Sequence, residues 1–289
     1  MDGVVNLLKP PGMTSSNAVY DVRRIFQEKR AGHLGTLDPG AAGVLPICIG
    51  RATRLFEHLV DKEKEYIFEI AFGMATDTQD VFGRITERSR GKVSREMLVD
   101  ALPSFLGRQM QRASVYSALK VDGKKMCDLA RAGQEVSPKE REIEIFALDY
   151  LEQTEENRFL LKMRCSRGTY VRSLCMDLGE KLGVCAHMSF LLRTASGPFR
   201  AEDAISVGEL EEKKADGSLC EAVVSCEKAL AFLPPLKLPK SREVPAINGL
   251  ETHLSEKQKG DVRLYAGDRF LGIGHAEGDK IKLTVHLYE

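Results

Sequence analysis

The sequence predicts an α+β domain followed by a small all-β module, and three observations carry that prediction. Segments with period-two apolar alternation and segments with helical apolar spacing succeed one another irregularly up to residue 231. Leu233-Pro234-Pro235-Leu236-Lys237-Leu238-Pro239 then interrupts any regular element. Beyond it, short apolar runs at 262–265, 269–273 and 280–287 are separated by turns containing Gly and Asp. The domains expected are therefore 1–231 and 232–289. A module of about 55 residues is marginal alone, so it is expected to dock on the larger domain.

The elements follow in order. Thr14-Ser15-Ser16-Asn17 offers an N-cap to a helix that carries Val19, Val22 and Phe26 on one face. Five glycines and two prolines between Gly32 and Gly50 make a loop and then a short apolar stretch. A second helix starts near Arg51, with Ala52, Leu55, Phe56 and Leu59 as its stripe. From Tyr66 the period changes to two, placing Tyr66, Phe68, Ile70 and Phe72 on one strand face. Ser94 caps a helix carrying Leu98, Ala101 and Leu102. A helix at 126–131, strands at 142–150 and 158–165, and a helix after Gly168 complete the domain.

With 42 Lys+Arg against 42 Asp+Glu the formal net charge is zero, which at first argues against a nucleic-acid partner. Local counts change that. Residues 107–141 and 158–200 carry net charges of +4 and +6, and residues 142–157 and 201–230 carry −6 and −5. One such block is an ordinary solvated face. Two basic blocks that also hold the most motif-like residues fit an RNA footprint on one side of the molecule.

Other classes fall away. No run of about 18 apolar residues exists, so no membrane span is expected. Met1-Asp2-Gly3-Val4-Val5-Asn6 lacks the basic start and apolar stretch of a secretory signal. Seven cysteines, an odd number without a Cys-x-x-Cys pair, read as reduced thiols of a cytoplasmic protein. The six histidines are scattered, and the usual metalloprotease, phosphate-loop and hydrolase motifs are missing, so neither metal nor cofactor is expected. Gly272-Ile273-Gly274-His275-Ala276-Glu277-Gly278 has the wrong final spacing for a dinucleotide loop and reads as a β-turn.

One segment resists a purely structural account. Asp38-Pro39-Gly40 is a turn in its own right. Yet Gly32-His33-Leu34-Gly35-Thr36-Leu37-Asp38-Pro39-Gly40-Ala41-Ala42-Gly43 sets one carboxylate among small residues that admit another molecule. Lys29, Arg30, Arg51 and Arg54 flank it on both sides.

That segment, continued through Leu45-Pro46, resembles the signature of the TruB family of RNA pseudouridine synthases. Further motifs resemble the same family in the same order over residues 4–200. They are the opening Asn6-Leu7-Leu8-Lys9-Pro10-Pro11-Gly12-Met13-Thr14-Ser15, Lys64-Glu65-Tyr66, Thr76-Asp77-Thr78-Gln79-Asp80, and Tyr116-Ser117-Ala118-Leu119-Lys120 with Gly123-Lys124-Lys125. Gly168-Thr169-Tyr170-Val171-Arg172 and Ala186-His187-Met188-Ser189-Phe190-Leu191-Leu192-Arg193 complete the set. Phe270-Leu271-Gly272-Ile273-Gly274 is similar to a truncated PUA module, a small RNA-binding barrel. Ala42 and Ala113 depart from the threonine and proline common at those places.

The resemblance implies a pseudouridine-synthase domain with a mixed central sheet and flanking helices, plus a PUA-like tail. It also implies a reaction: a uridine in the tRNA T arm, at position 55, loses its N1–C1′ bond, turns, and is rejoined through C5. An aspartate, with a reference pKa of about 3.9, is ionised and nucleophilic at neutral pH. Uracil leaves as a resonance-stabilised anion, so the second carboxylic acid of a retaining glycosidase is not needed. On this reading Asp38 is the nucleophile, attacking C1′ or C6, and Arg172 is its ionic partner. The base must leave the stack to react. Tyr66 stacks on it, with removal of the C5 proton as a second role, and Tyr170 and Leu191 close the pocket. His33 fills the space the nucleotide vacates. Lys9, Lys120, Lys124, Lys125 and Arg167 are expected to touch the RNA. Judged one at a time, Tyr66 and Leu191 are core residues, His33 a turn residue, and Tyr170 and Arg172 a solvent-facing helix start.

Three other readings compete. A base-removing glycosidase using Asp38 would release free uracil. A non-catalytic RNA-binding or tRNA-folding module would bind without converting. A guide-RNA-dependent relative would carry a fuller PUA domain and basic extensions. The expected form is a monomer acting on the T stem-loop without a guide RNA.

Overall fold

The computed structural model describes every residue except 61, 115, 117–119, 122, 127–128, 130–131, 133, 135–139 and 289. Most of the helix expected at 126–131 and of the 116–120 motif lies outside the described residues; Met126 and Leu129, which are described, are helical.

Seventeen strands are described: β1 Gly3–Lys9, β2 Ala31–His33, β3 Ala42–Ile49, β4 Lys64–Phe72, β5 Met74–Thr76, β6 Ile85–Arg88, β7 Gly107–Arg112, β8 Lys120–Val121, β9 Lys124–Lys125, β10 Glu140–Glu155, β11 Arg158–Cys165, β12 Ala186–Ser196, β13 Phe199–Arg200, β14 Val223–Val224, β15 Pro235–Leu238, β16 Thr252–Ala266 and β17 Arg269–His286. The α-helices are α1 Ser15–Phe26, α2 Phe56–Val60, α3 Arg95–Ala101, α4 Val171–Lys181, α5 Val207–Asp216, α6 Cys226–Ala229 and α7 Glu243–Ile247. Thr14 and Ser94 cap α1 and α3 as their positions imply, accepting from the amides of Asn17 and Met97. The helix expected from Arg51 starts as a 3₁₀ turn at Gly50–Leu55 and becomes α-helical only at α2.

The main sheet has ten strands in the order β14-β1-β3-β12-β4-β11-β10-β7, with β2 beside β3 and β13 beside β12. Its β3–β12 pair is parallel and the other pairs are antiparallel. That parallel seam is short, joining Ala42 to Leu192 and Gly43 to Arg193. Gly43 has φ +114°, and a Cβ there would lie 2.2 Å from the Arg193 carbonyl oxygen, so only glycine lets the strands meet.

Period two explains why β3 is buried along almost its whole length. Leu45, Ile47 and Ile49 join the core that also takes Ala18, Val22 and Ile25 of α1, while Val44 and Cys48 face a second core. That second core includes Leu55, Leu59, Leu230, Ile273 and Leu287, so the C-terminal module is docked through apolar contacts. The module itself is the sheet β15-β16-β17 around Leu238, Val262, Leu264, Leu271 and Leu283.

Two expectations for the module are corrected. The separate short strands merge into two long ones, β16 and β17, because the polar residues at 258–261 still pair with 275–278 across the ribbon, and after a register shift His253 pairs with Lys280. Gly272 to Gly278 lies inside β17 and is not a turn. Gly272 is there for close approach: a Cβ would fall 1.8 Å from the Val285 carbonyl oxygen.

Candidate active site

Asp38 stands on the loop between β2 and β3, and the carbonyls of that loop are tied down one after another. Arg193 donates to the carbonyls of Gly35 and Thr36 at 3.3 Å each and to Val44 at 2.7 Å. Ser15 Oγ donates to the Leu37 carbonyl at 2.8 Å and accepts from its amide at 2.9 Å. The Ala41 amide donates to the Asp38 carbonyl, and the Gly12 amide and Lys9 Nζ donate to that of Pro39. Every carbonyl from residue 35 to 39 therefore has a donor, which fixes the backbone that aims the carboxylate.

Arg193 and Lys9, the two cations of this frame, are 1% and 0% exposed. Lys9 Nζ also donates to the carbonyls of Pro10 at 2.9 Å and Met13 at 2.8 Å. Burial pulls its ammonium down to about 8, with Asp38 pulling it up and Arg193 pushing it further down.

Arg172 arrives from the first turn of α4. Gln111, buried on β7, donates to the Tyr170 carbonyl at 3.0 Å and accepts from its amide at 2.8 Å, fixing the start of that helix. The Arg172 guanidinium, 4% exposed, places Nε 3.0 Å from Asp38 Oδ2. Its other nitrogens donate to the Thr78 carbonyl at 3.0 Å, Ser114 Oγ at 3.3 Å and the Tyr116 carbonyl at 3.1 Å, and Asp80 Oδ2 is 4.0 Å away. A fork held on four sides cannot swing, so Asp38 keeps its orientation without any bound molecule.

Two cavities meet at this pair. The first, about 480 Å³, is lined by Asp38, Tyr66, Tyr170, Arg172, Leu191 and Arg193 together with Arg141 and Arg167. Tyr66 is the register partner of Arg193 on the neighbouring strand. Burial pushes its phenol up to about 12 although the Arg193 guanidinium, within hydrogen-bonding reach, pulls it back. At neutral pH the phenol is therefore protonated and a hydrogen-bonding group. The second cavity, about 630 Å³, shares Asp38, Arg172 and Leu191 and is otherwise lined mainly by apolar residues. Among the described residues no group of three His, Cys, Asp or Glu could hold a metal ion.

Residues 23–171 match the TruB family pseudouridylate synthase N-terminal domain, and residues 172–231 match the tRNA pseudouridylate synthase B C-terminal domain. The chain belongs to the TruB family. It is 44% identical over 252 residues to a tRNA pseudouridine synthase B from Pelotomaculum thermopropionicum, covering 86% of this chain and 79% of that one. It is 41% identical over 285 residues to that of Caldanaerobacter subterraneus subsp. tengcongensis, covering 98% of each. Among solved structures it is similar to a Cbf5–Nop10–Gar1 complex, with 29% identity, TM-score 0.72, and coverage of 95% of this chain and 78% of that chain. It is also similar to an H/ACA RNP bound to a substrate RNA containing 2′-deoxyuridine, with 26% identity, TM-score 0.73, and coverage of 99% and 87%.

Against this TruB frame, the structure brings Asp38, Tyr66, Arg167, Tyr170, Arg172 and Leu191 to one cavity. His33, half-buried on β2 opposite Ile47, lines neither cavity. Lys9 is a correction: expected to touch RNA, it is wholly buried with its ammonium spent on three carbonyls beneath the Asp38 loop. Lys120, Lys124 and Lys125 contribute backbone to the β8–β9 pair, and their side chains lie outside the described residues. Sequence reasoning missed Arg193, Gln111 and Ser15. Arg193 and Ser15 lay inside motifs already singled out but were given no role, Arg193 signalled by a lone arginine in an apolar strand and Ser15 read as part of the N-cap; Gln111 had no signal.

Proposed function

We propose that this protein isomerises the uridine at position 55 of the tRNA T arm to pseudouridine, with Asp38 as nucleophile on a flipped-out uridine and no cofactor. One observation carries the reading: the Asp38 carboxylate, held 3.0 Å from a buried arginine on a loop whose carbonyls from 35 to 39 are all bonded, opens into a cavity with two tyrosines. The 480 Å³ volume lies in the range of about 300–1,000 Å³ usual for small-ligand pockets and suits one extruded base. Tyr66 stacks on that base, Tyr170 and Leu191 bound it, and Arg167 meets the backbone. The Arg172 guanidinium holds Asp38 for attack, and the Tyr66 phenol donates a hydrogen bond to the base. His33 occupies the gap left in the RNA.

Residues 1–231 form the catalytic domain and 232–289 a short PUA-like RNA-binding module. The enzyme works in the cytoplasm as a monomer without a guide RNA. Its 41–44% identity to proteins named tRNA pseudouridine synthase B, against 26–29% to the chains from the Cbf5–Nop10–Gar1 complex and the H/ACA RNP, supports that choice. The test is pseudouridine mapping on unmodified tRNA with the purified protein alone. Wild type converts the uridine at position 55, and Asp38→Asn loses on the order of 10⁴-fold or more in rate, the scale of removing a nucleophile. Full activity in Asp38→Asn, release of free uracil, or conversion only with an added guide would overturn the proposal.

A further inference from the structure

The strand that opens the basic insertion and the strand that follows it reach the same short turn, and that turn carries Tyr170 and Arg172. We propose that Gln111, at this junction, is a positioning residue for the reaction: it holds the start of α4 so that Arg172 presents Nε to Asp38. The inference rests on the reading of Asp38 as the nucleophile with Arg172 as its partner.

Burial singles the residue out. β7 is the outermost strand on its side of the main sheet, with Arg108, Met110 and Arg112 exposed and Gln111 buried at 3% exposure. An amide in a place that alternation gives to an apolar side chain is costly unless both its ends are bonded. Both are, and to one residue. Oε1 accepts from the Tyr170 amide at 2.8 Å, and Nε2 donates to the Tyr170 carbonyl at 3.0 Å.

α4 has little else to fix its start. Its N-cap is Tyr170, whose side chain makes no capping bond, and no acidic residue stands in its first turn. The Tyr170 carbonyl also accepts the first intrahelical bond, from the Leu174 amide at 3.1 Å. Gln111 therefore grips the peptide from which the helix winds, two residues before Arg172.

The surroundings of Gln111 converge on the same turn. Ser173 Oγ donates to the Arg112 carbonyl at 2.8 Å, and Arg172 donates to Ser114 Oγ and the Tyr116 carbonyl. Arg141, the register partner of Gln111 on β10, donates to the Gly168 carbonyl at 3.5 Å. Gly168 has φ +80°, and a Cβ there would fall 2.7 Å from the Arg141 guanidinium. The neck of the insertion and the Arg172 turn thus form one hydrogen-bonded unit. Ser114 and Tyr116 hold the guanidinium itself, whereas Gln111 sets where the helix delivers it.

The test separates chemistry from binding. Gln111→Met keeps the length and packing of the side chain and loses both bonds. Single-turnover conversion of a T-arm stem-loop RNA should fall by about 10- to 100-fold, the scale of a misplacement of about 1 Å. Affinity, measured in an Asp38→Asn background, should stay within about threefold. In an Arg172→Lys background, where the fork no longer fits, Gln111→Met should cost less than about threefold more. Gln111→Glu gives a second readout. Protonated, its side chain accepts and donates as the amide does; ionised, it only accepts. Its rate relative to wild type should climb as pH falls from about 8 to about 5.5, a trend absent from Gln111→Met. This series decides the matter should Gln111→Met fail to fold. The proposal is overturned by a Gln111→Met rate within about twofold of wild type or an affinity loss as large as the rate loss. Losses that multiply with Arg172→Lys, or a Gln111→Glu rate at a constant fraction of wild type, overturn it too. Conversion of uridine 55 by wild type and its loss in Asp38→Asn are measured separately, so failure here and failure of the main reading are distinguishable.

Discussion

The two cavities at Asp38 share three residues and differ in almost everything else. The first is the more polar and more cationic of the two, with Lys64, Arg141, Arg167 and Arg193 around two phenols and Glu57. The second is apolar, with carboxylates and an arginine already committed. The same aspartate thus faces one space lined by several cations and two phenols, and another lined mainly by apolar side chains. Chemistry needs the first kind of lining, because charge develops at the reacting atoms and must meet fixed dipoles.

The largest expected effect falls on the group both cavities share. Arg172→Lys keeps a positive charge but cannot present Nε to Asp38 while donating to Thr78, Ser114 and Tyr116. The single-turnover rate should fall by roughly 10²- to 10³-fold, the scale of losing one fixed electrostatic contact. A loss under fivefold would mean that charge alone suffices and that the fork geometry is incidental.

Next comes the stacking ring of the first cavity. Tyr66→Phe keeps the ring and should keep RNA affinity within about threefold. Tyr66→Leu should lose about 5- to 150-fold. Equal losses in the two variants would shift the role from the ring to the hydroxyl and break the assignment of Tyr66 to stacking.

The contrast between linings predicts a difference in salt response. Arg167 is exposed and lines only the first cavity. Arg167→Gln should weaken tRNA binding several-fold and lower the slope of log affinity against log salt by about 0.7 to 0.9. Phe82 lines only the second cavity and carries no charge, so Phe82→Ala should leave that slope unchanged. If both variants change it equally, the division into a charged and an apolar cavity fails.

How much of this was legible depends on how far the deciding interaction reaches along the chain. The Asp38 turn, the caps at Thr14 and Ser94 and the face of β4 rest on neighbours within a few residues, and spacing reveals them. The frame beneath Asp38 does not work that way. Lys9 follows Leu7 and Leu8 and precedes two prolines, and nothing local tells a surface lysine from a buried one. One of its acceptors, Pro39, is 30 residues away, and Arg193 reaches back 149 residues to Val44. The ribbon β16–β17 was broken into pieces because its polar middle hides the pairing that tertiary structure supplies. The capping box Ser206–Glu209 that starts α5 was legible, and its amphipathic stripe is short enough to pass unnoticed.

The smallest effect concerns Lys9, which supports the wall between the cavities. Its ammonium titrates at about 8 when folded and near 10.5 when free, so between those values the unfolded chain holds the extra proton. Stability then rises with pH across that window, because the folded state sheds a charge that burial disfavours; below about 8 the full penalty is present. In Lys9→Met that coupling is gone. Urea unfolding at pH 7.5 and 9.5 should therefore show wild type gaining on Lys9→Met by about 1–2 kcal/mol between the two conditions. Parallel behaviour would mean that the three carbonyls hold the ammonium charged throughout, making Lys9 a permanent cation under the Asp38 loop and not a tolerated one.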